Sequence, residues 1–254
     1  SNIKRHIYLA VERLINREAI HIIAPSRMVR DCVVEWEKTP PEKVSVIPYG
    51  QDSARFDEIM PNRVMRIREE LGMNEQISLV CVSRLFHSKG HKYLFEAIAP
   101  LIHDGLKVKL FLVGTGKYED KLQEMASVLR IRENIEFLGW RDDALEIIAA
   151  ADIIVHPSLE DALSQSLIES LMLARPIVAT DISGAADTLC DGRFGCLVPP
   201  ADADRFRLAL KSVIENLEAA RKNAESGRDY LLDYMSASRV ANSHLAIYRN
   251  TSKL

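Results

Sequence analysis

Two permanent cations, Arg84 and Lys89, stand in the stretch Ser83-Arg84-Leu85-Phe86-His87-Ser88-Lys89-Gly90, directly after an apolar run over residues 77–82. On a loop at a strand end such a pair suits a diphosphate, the guanidinium acting as a planar fork and the ammonium as a point charge. A merely solvated loop is the equal alternative, since both residue types are common on surfaces. A second stretch, residues 157–169, also follows an apolar run. Its small and polar residues lead into a helix that Pro176 prevents from continuing. The amides at that helix start, around Ser164, Gln165, Ser166 and Leu167, together with the helix dipole form an anion site. Glu169, about one turn inside the helix from Ser166, is placed to accept hydrogen bonds from a ribose diol, and Asp161 in the loop from sugar hydroxyls. The plainer alternative makes Ser164 an N-cap and leaves both acids solvated.

A third cluster, Gly114-Thr115-Gly116, begins like a dinucleotide turn, but Glu119 stands where the third glycine of GxGxxG belongs. It still marks a close backbone approach at a strand end, where a base or sugar fits. Leu138-Gly139-Trp140-Arg141 ends another apolar run and offers backbone contacts to a base edge; the Trp there is more often packing than stacking. His156 follows the run 152–155, where a histidine is more often structural, and His87 lies between the two cations. Neither is given a catalytic role.

The elements that must hold these residues alternate. Residues 77–82, 108–113, 135–138, 152–155, 176–179 and 196–198 read as strands, several nearly continuous in Val, Ile, Leu and Phe, as strands covered on both faces do. Between the first two, Tyr93, Leu94, Ala97, Ile98, Leu101 and Ile102 repeat at helical spacing, and Gly105 is the expected stop. The repeated β-α-β unit predicts an α/β fold with a doubly wound parallel sheet. Its ligand crevice lies beyond the carboxyl ends of the strands. Ahead of it, residues 7–15 and 26–37 read as helices and 19–24 and 44–48 as strands. One strand pair is too little for a sheet of its own, so residues 1–52 read as the tail of another domain, followed by a linker near 51–61. Residues 53–254 then form the main domain, helical from 201 onward.

With 254 residues the chain holds one large domain or two modest ones. Hydrophobic residues at 47% and charged residues at 27% exclude a disordered or low-complexity chain. Against 36 acidic residues there are 33 Lys and Arg, a net charge of -3, so a nucleic-acid grip through overall basicity is not expected. The 4 cysteines form no CxxC pair, which argues against a zinc knuckle or disulfide framework and fits a reducing compartment, the cytoplasm by default. No run is long enough for a membrane helix, and no signal-peptide pattern opens the sequence.

The order of Val46-Ile47-Pro48-Tyr49-Gly50, Ser83-Arg84 with Lys89-Gly90, Val113-Gly114-Thr115-Gly116, Phe137-Leu138-Gly139 and Pro157-Ser158 leading to Glu169-Ser170-Leu171 resembles the group 1 glycosyltransferases, also called family 4. The likeness continues through residues 176–200. The resemblance implies a GT-B architecture whose C-terminal Rossmann-like domain binds a nucleotide-sugar donor, UDP or GDP being the expected carriers. It implies that Arg84 and Lys89 bind the diphosphate and that Glu169 is the second acid of the family's E-x7-E motif, which binds the ribose. Asp161 falls at the first acid, one methylene shorter, with Ala162, Ser164 and Ser166 in place of the usual small Gly and Pro positions. The remaining contacts fall to Gly114, Thr115, Leu138, Gly139, Arg141 and residues 164–167.

The implied reaction is retaining sugar transfer without a metal or other cofactor, by same-face attack within an ion pair. The implied partners are the donor and a saccharide or lipid-linked acceptor, with peripheral membrane contact through the other domain at the inner face. A nucleotide-sugar-binding module without turnover, a nicotinamide oxidoreductase and a sugar epimerase are the alternatives.

Overall fold

A computed structural model describes residues 2–251. The first elements are α1 (Asn2–Glu18), β1 (Ile22–Ala24), α2 (Arg27–Glu35) and β2 (Val44–Val46). Ser26 begins α2 by accepting a hydrogen bond from the Val29 N–H at 3.3 Å, the usual service of a serine N-cap. β1 and β2 pair in parallel, and Ala24, Val33 and Val44 close a small core beneath them.

There follow α3 (Ala54–Asp57), α4 (Pro61–Glu70), β3 (Ile77–Val82), α5 (His91–His103), β4 (Val108–Val113), α6 (Glu119–Val128), β5 (Ile135–Gly139), α7 (Ala144–Ala150), β6 (Ile153–His156) and α8 (Gln165–Met172). The chain continues through β7 (Ile177–Thr180), α9 (Ser183–Thr188), β8 (Cys196–Val198), α10 (Ala203–Glu215), α11 (Leu217–Tyr234) and α12 (Ala237–Thr251).

The second sheet is wholly parallel, in the order β5-β4-β3-β6-β7-β8. This is the doubly wound, Rossmann-like arrangement the alternating apolar runs predict. Leu79, Cys81, Leu110, Leu112, Val155 and Val178 point to one face, where α5, α6 and α10 cover them with Leu94, Ile98, Leu122, Ala126, Phe206 and Leu210. On the other side α7 packs against α4 and α8. The inner strands β3, β4, β6 and β7 bury both faces, which is why their sequences run nearly continuously apolar. Gly105, at φ +89, turns the chain out of α5 as expected.

Two features differ from the sequence reading. Residues 51–61, read as a linker, contain α3 and run into α4, which begins at Pro61 with a proline in the position where the missing N–H costs nothing. In α4 only Ile67 is fully buried, and Arg and Glu outnumber its apolar residues, so the helix reads as a polar stretch. The other difference is the domain boundary. The described chain forms two compact units, one made of the residues up to Asp52 and those from Leu232 on, the other of Ser53–Leu231. Residues 232–251 therefore group with the first unit and not with the main domain that the sequence suggests. The Gln51 N–H donates to the Met235 carbonyl at 2.8 Å, and Gly50 lies against Val240, contacts that composition does not reveal. Among the described residues no helix is long and apolar enough to cross a membrane.

Register decides what meets at the crevice. Val80 is opposite Ile154 and Val82 opposite Val113, so β3, β4 and β6 end side by side, with His156 level with Val82. Between β3 and β6 the chain reverses its direction of winding, and a switch point of this kind opens a crevice at the carboxyl ends.

Candidate functional site

The loop after β3 is held from both sides. On the β4 side, the Leu85 N–H donates to the Thr115 carbonyl at 3.0 Å and the Tyr118 N–H to the Leu85 carbonyl at 3.1 Å. A Cβ on Gly114 or on Gly116 would fall 2.2 Å from the carbonyl oxygen of Ser83 or of Leu85. The close approach these two glycines permit is thus made by the neighbouring loop. On the β6 side, the Leu159 N–H donates to the Ser88 carbonyl at 2.8 Å, and Gly90, at φ +68, passes over the Pro157 carbonyl. Thr180 Oγ1 donates to the carbonyls of Ser158 and His156 from below. Gly184 supports Asp161 and Ala162 from the far side, where a Cβ would lie 2.8 Å from the Ala162 carbonyl oxygen.

Within this frame Lys89 Nζ donates to Asp161 Oδ2 at 2.7 Å, with 16% and 19% of the two side chains exposed. The first cation loop and the acidic loop are therefore one site. His156 Nε2 stands 3.6 Å from the same Asp161 oxygen, near enough for attraction but beyond hydrogen bonding. Burial opposes the charge on Asp161, yet His156 and Lys89 outweigh it and draw the carboxyl down to about 2. Burial depresses His156 most; Asp161 resists this and Lys89 adds to it, leaving the imidazole below its ordinary value. His91, which meets Ser83 Oγ at 3.1 Å, is pushed down to about 4 by burial, then by His156 and Lys89. The cluster at neutral pH is one ion pair between two neutral imidazoles. His91 Nδ1, His156 Nε2 and Ser158 Oγ are buried without a hydrogen-bond partner in the protein, a concentration of unmet polar groups that a folded core normally avoids.

Arg84 is exposed at the start of the same loop, its guanidinium 5.2 Å from the centre of the Phe86 ring, with no carboxylate partner among the described residues. α8 begins shortly after Asp161 and presents its first amides there. Ser164 occupies the N-cap position, but its Oγ meets Ser166 Oγ at 3.1 Å instead of capping the helix. The Leu167 side chain is buried in the core, so only its backbone faces a ligand. Glu169 is neither free nor solvated, because Arg55 Nη2 donates to its Oε1 at 3.0 Å and Gln165 Nε2 at 3.4 Å.

At the end of β5, the Gly139 carbonyl accepts from the Gly114 N–H at 2.7 Å, which brings Leu138 and Gly139 beside the β4 loop. Arg141 is committed elsewhere. Both arms of its guanidinium bind Asp143 at 2.7 Å and reach Glu70 at 3.4 Å, which raises its already high pKa. Trp140 is exposed, its Nε1 donating to Asp142. Sequence reasoning missed Arg55 and the packing of His91 under Ser83. Nothing local marks Arg55, whose partner is 114 residues away.

The family described as Glycosyl transferases group 1 matches residues 76–216, more than half of the sequence. The chain belongs to that family. This group 1 chain is 29% identical over 200 residues to the lipopolysaccharide glucosyltransferase WaaG of Escherichia coli (strain K12), covering 76% of this chain and 52% of the relative. It is 28% identical over 169 residues to the lipopolysaccharide core biosynthesis glycosyltransferase LpsE of Rhizobium meliloti (strain 1021), covering 66% and 48%. The chain thus spans about half the length of these curated relatives. In fold it is similar to HepE from Anabaena, solved in complex with UDP, with a TM-score of 0.86 and 24% identity over 97% of this chain and 67% of that one. The shared segment contains the β3 loop, the glycines after β4, and the whole of the acidic loop and α8.

Proposed function

We propose that this chain is the donor-binding part of a retaining glycosyltransferase that moves a sugar from a nucleotide-diphosphate sugar to a saccharide or lipid-linked acceptor. The observation that carries the reading is the joining of Lys89 to Asp161 at the sheet's switch point, beside the start of α8. Cleavage of the bond between the sugar C1 and the diphosphate oxygen leaves extra negative charge on the leaving group. Arg84, Lys89 and the amides of residues 164–167 are donors gathered on one side of the site, and they stabilise this charge. They supply what a metal ion supplies elsewhere, so the reaction proceeds without one. Glu169 accepts the ribose hydroxyls. Gly114, Thr115, Leu138, Gly139 and the Arg141 backbone border the base and sugar, and Asp161 faces the transferred sugar. The acceptor hydroxyl oxygen bonds to C1 on the face that the leaving group vacates, and its proton passes to the departing diphosphate oxygen. UDP and GDP are the carriers in view, and the names of WaaG and LpsE, both lipopolysaccharide enzymes, support a saccharide or lipid-linked acceptor, which we place at the inner membrane face, reached from the cytoplasm.

The test is a binding panel of UDP, GDP, ADP and their sugars on this chain, followed by release of nucleoside diphosphate by the full-length protein. A ligand present at about 100 times its dissociation constant adds about 2.7 kcal/mol of stability. One nucleotide should stand out. If none stabilises the chain, the reading fails. A second reading, a binding module without turnover, is favoured by the shorter acid at position 161 and its commitment to Lys89; tight donor binding without release would establish it.

A further inference from the structure

Arg55 lies in α3, just beyond Asp52, where one compact unit gives way to the next. The short helix around it is well anchored. Phe56 is buried, with the Arg55 guanidinium 5.3 Å from its ring centre, and Asp57 pairs with Arg228 Nη2 at 3.3 Å. From this mount Arg55 Nη2 reaches Glu169 Oε1 at 3.0 Å. Gln165, one turn earlier on α8, gives the same oxygen only a long bond of 3.4 Å. Neighbouring polar side chains on one helix hold each other only weakly, too weakly to keep a carboxylate in one orientation. Oε2 accepts no hydrogen bond from the described residues, and a carboxylate has about four lone-pair sites in all. The Arg55 contact therefore takes one site and leaves a free edge.

We propose that Arg55 is a positioning residue that fixes the Glu169 carboxylate so that its free edge meets the two ribose hydroxyls of the nucleotide. The inference rests on the reading of Glu169 as the ribose acid and deepens it. Arg55 touches no ligand; it acts through Glu169. A neutral residue at 55 leaves the acid in place but free to turn, and recognition of the diol weakens while the hold on the diphosphate stays.

The experiment measures binding of UDP, GDP, their 2′-deoxy forms and inorganic pyrophosphate by calorimetry, for the parent chain, Arg55→Gln, Arg55→Lys, Glu169→Gln and the double variant that carries both R55Q and E169Q. R55Q should weaken the preferred nucleoside diphosphate about tenfold, the loss of one charged hydrogen bond. Its affinity for pyrophosphate should not change, and its preference for the ribo over the 2′-deoxy form should shrink. R55K, which keeps the charge, should recover most of the loss. In the E169Q background R55Q should add nothing. If E169Q weakens binding and R55Q does not, the inference fails and the ribose reading survives. A loss shared equally by pyrophosphate, or a further loss in the E169Q background, also overturns it, because Arg55 would then act elsewhere. If E169Q binds like the parent, or no nucleoside diphosphate binds at all, the ribose reading falls and takes the inference with it.

Discussion

A Cβ on Gly90 would lie 1.9 Å from the Pro157 carbonyl oxygen, so the loops on the two sides of the switch point touch backbone to backbone. Gly90 also sits at φ +68, where a side chain costs about 1–2 kcal/mol by itself. Gly139 has a similar φ of +66 but open space around its missing Cβ. Gly139→Ala should therefore cost only that ~1–2 kcal/mol. Gly90→Ala adds a backbone collision, of the ~1–3 kcal/mol class seen on overpacking, and disturbs the site as well. Urea unfolding separates the two, and equal losses would refute the contact.

Lys89→Met keeps the length of the side chain and removes its charge. The affinity for inorganic pyrophosphate should drop about 10- to 100-fold, as expected for charge-assisted bonds worth ~1.5–3 kcal/mol. Asp161 is left without its cation in a half-buried place, so the melting temperature should fall too. Titration calorimetry showing parental affinity in a folded variant would remove Lys89 from the phosphate site.

Asp161→Asn releases the Lys89 ammonium from a 2.7 Å ion pair. A phosphate then no longer competes with the carboxylate for that cation. Pyrophosphate should bind this variant at least as tightly as the parent, whereas nucleoside diphosphate release from the sugar donor by the full-length protein should fall. Weaker pyrophosphate binding by a well-folded variant contradicts the assignment of separate duties to the two residues.

Stability should decline on mild acidification. His91 is held near 4 in the fold, against 6.5 when unfolded, and His156 is depressed in the same direction. Between those values the unfolded chain binds more protons, so the folding free energy weakens as the pH drops through the window, by about 3 kcal/mol for the full His91 shift. Asp161 acts lower: held near 2 against 3.8, it stabilises above 3.8, and that contribution is lost as the pH falls through about 2. Denaturant midpoints measured between about pH 7 and 4.5 should fall steadily in the parent and less in His91→Asn. A flat parental profile would show that the imidazole is not buried as described.

Much of the sheet is readable in advance because strands buried on both faces must be continuously apolar, and three of the six strands of the larger sheet start and end where the sequence puts them: Ile77–Val82, Val108–Val113 and Cys196–Val198. The loops that carry Arg84, Lys89 and Asp161, and the helix that carries Glu169, are likewise visible, since each follows such a run. Pairing is not. That Lys89 chooses Asp161, that Glu169 is already engaged by Arg55, and that Gly114 accommodates Ser83 all depend on register between strands distant in sequence. α4 stays hidden for a different reason, since Arg and Glu outnumber its apolar Val64, Met65 and Ile67 and make it read as a polar stretch.

The pairing of Val80 with Ile154 brings together residues made far apart in time. A ribosome delivers Lys89 72 residues before Asp161, and β6 must insert beside β3 before either has its partner. Because non-local strand pairing forms late, an unfinished chain exposes a basic loop with no acid or helix start opposite. The Lys89–Asp161 pair can then form only once the central strand has gained its second neighbour.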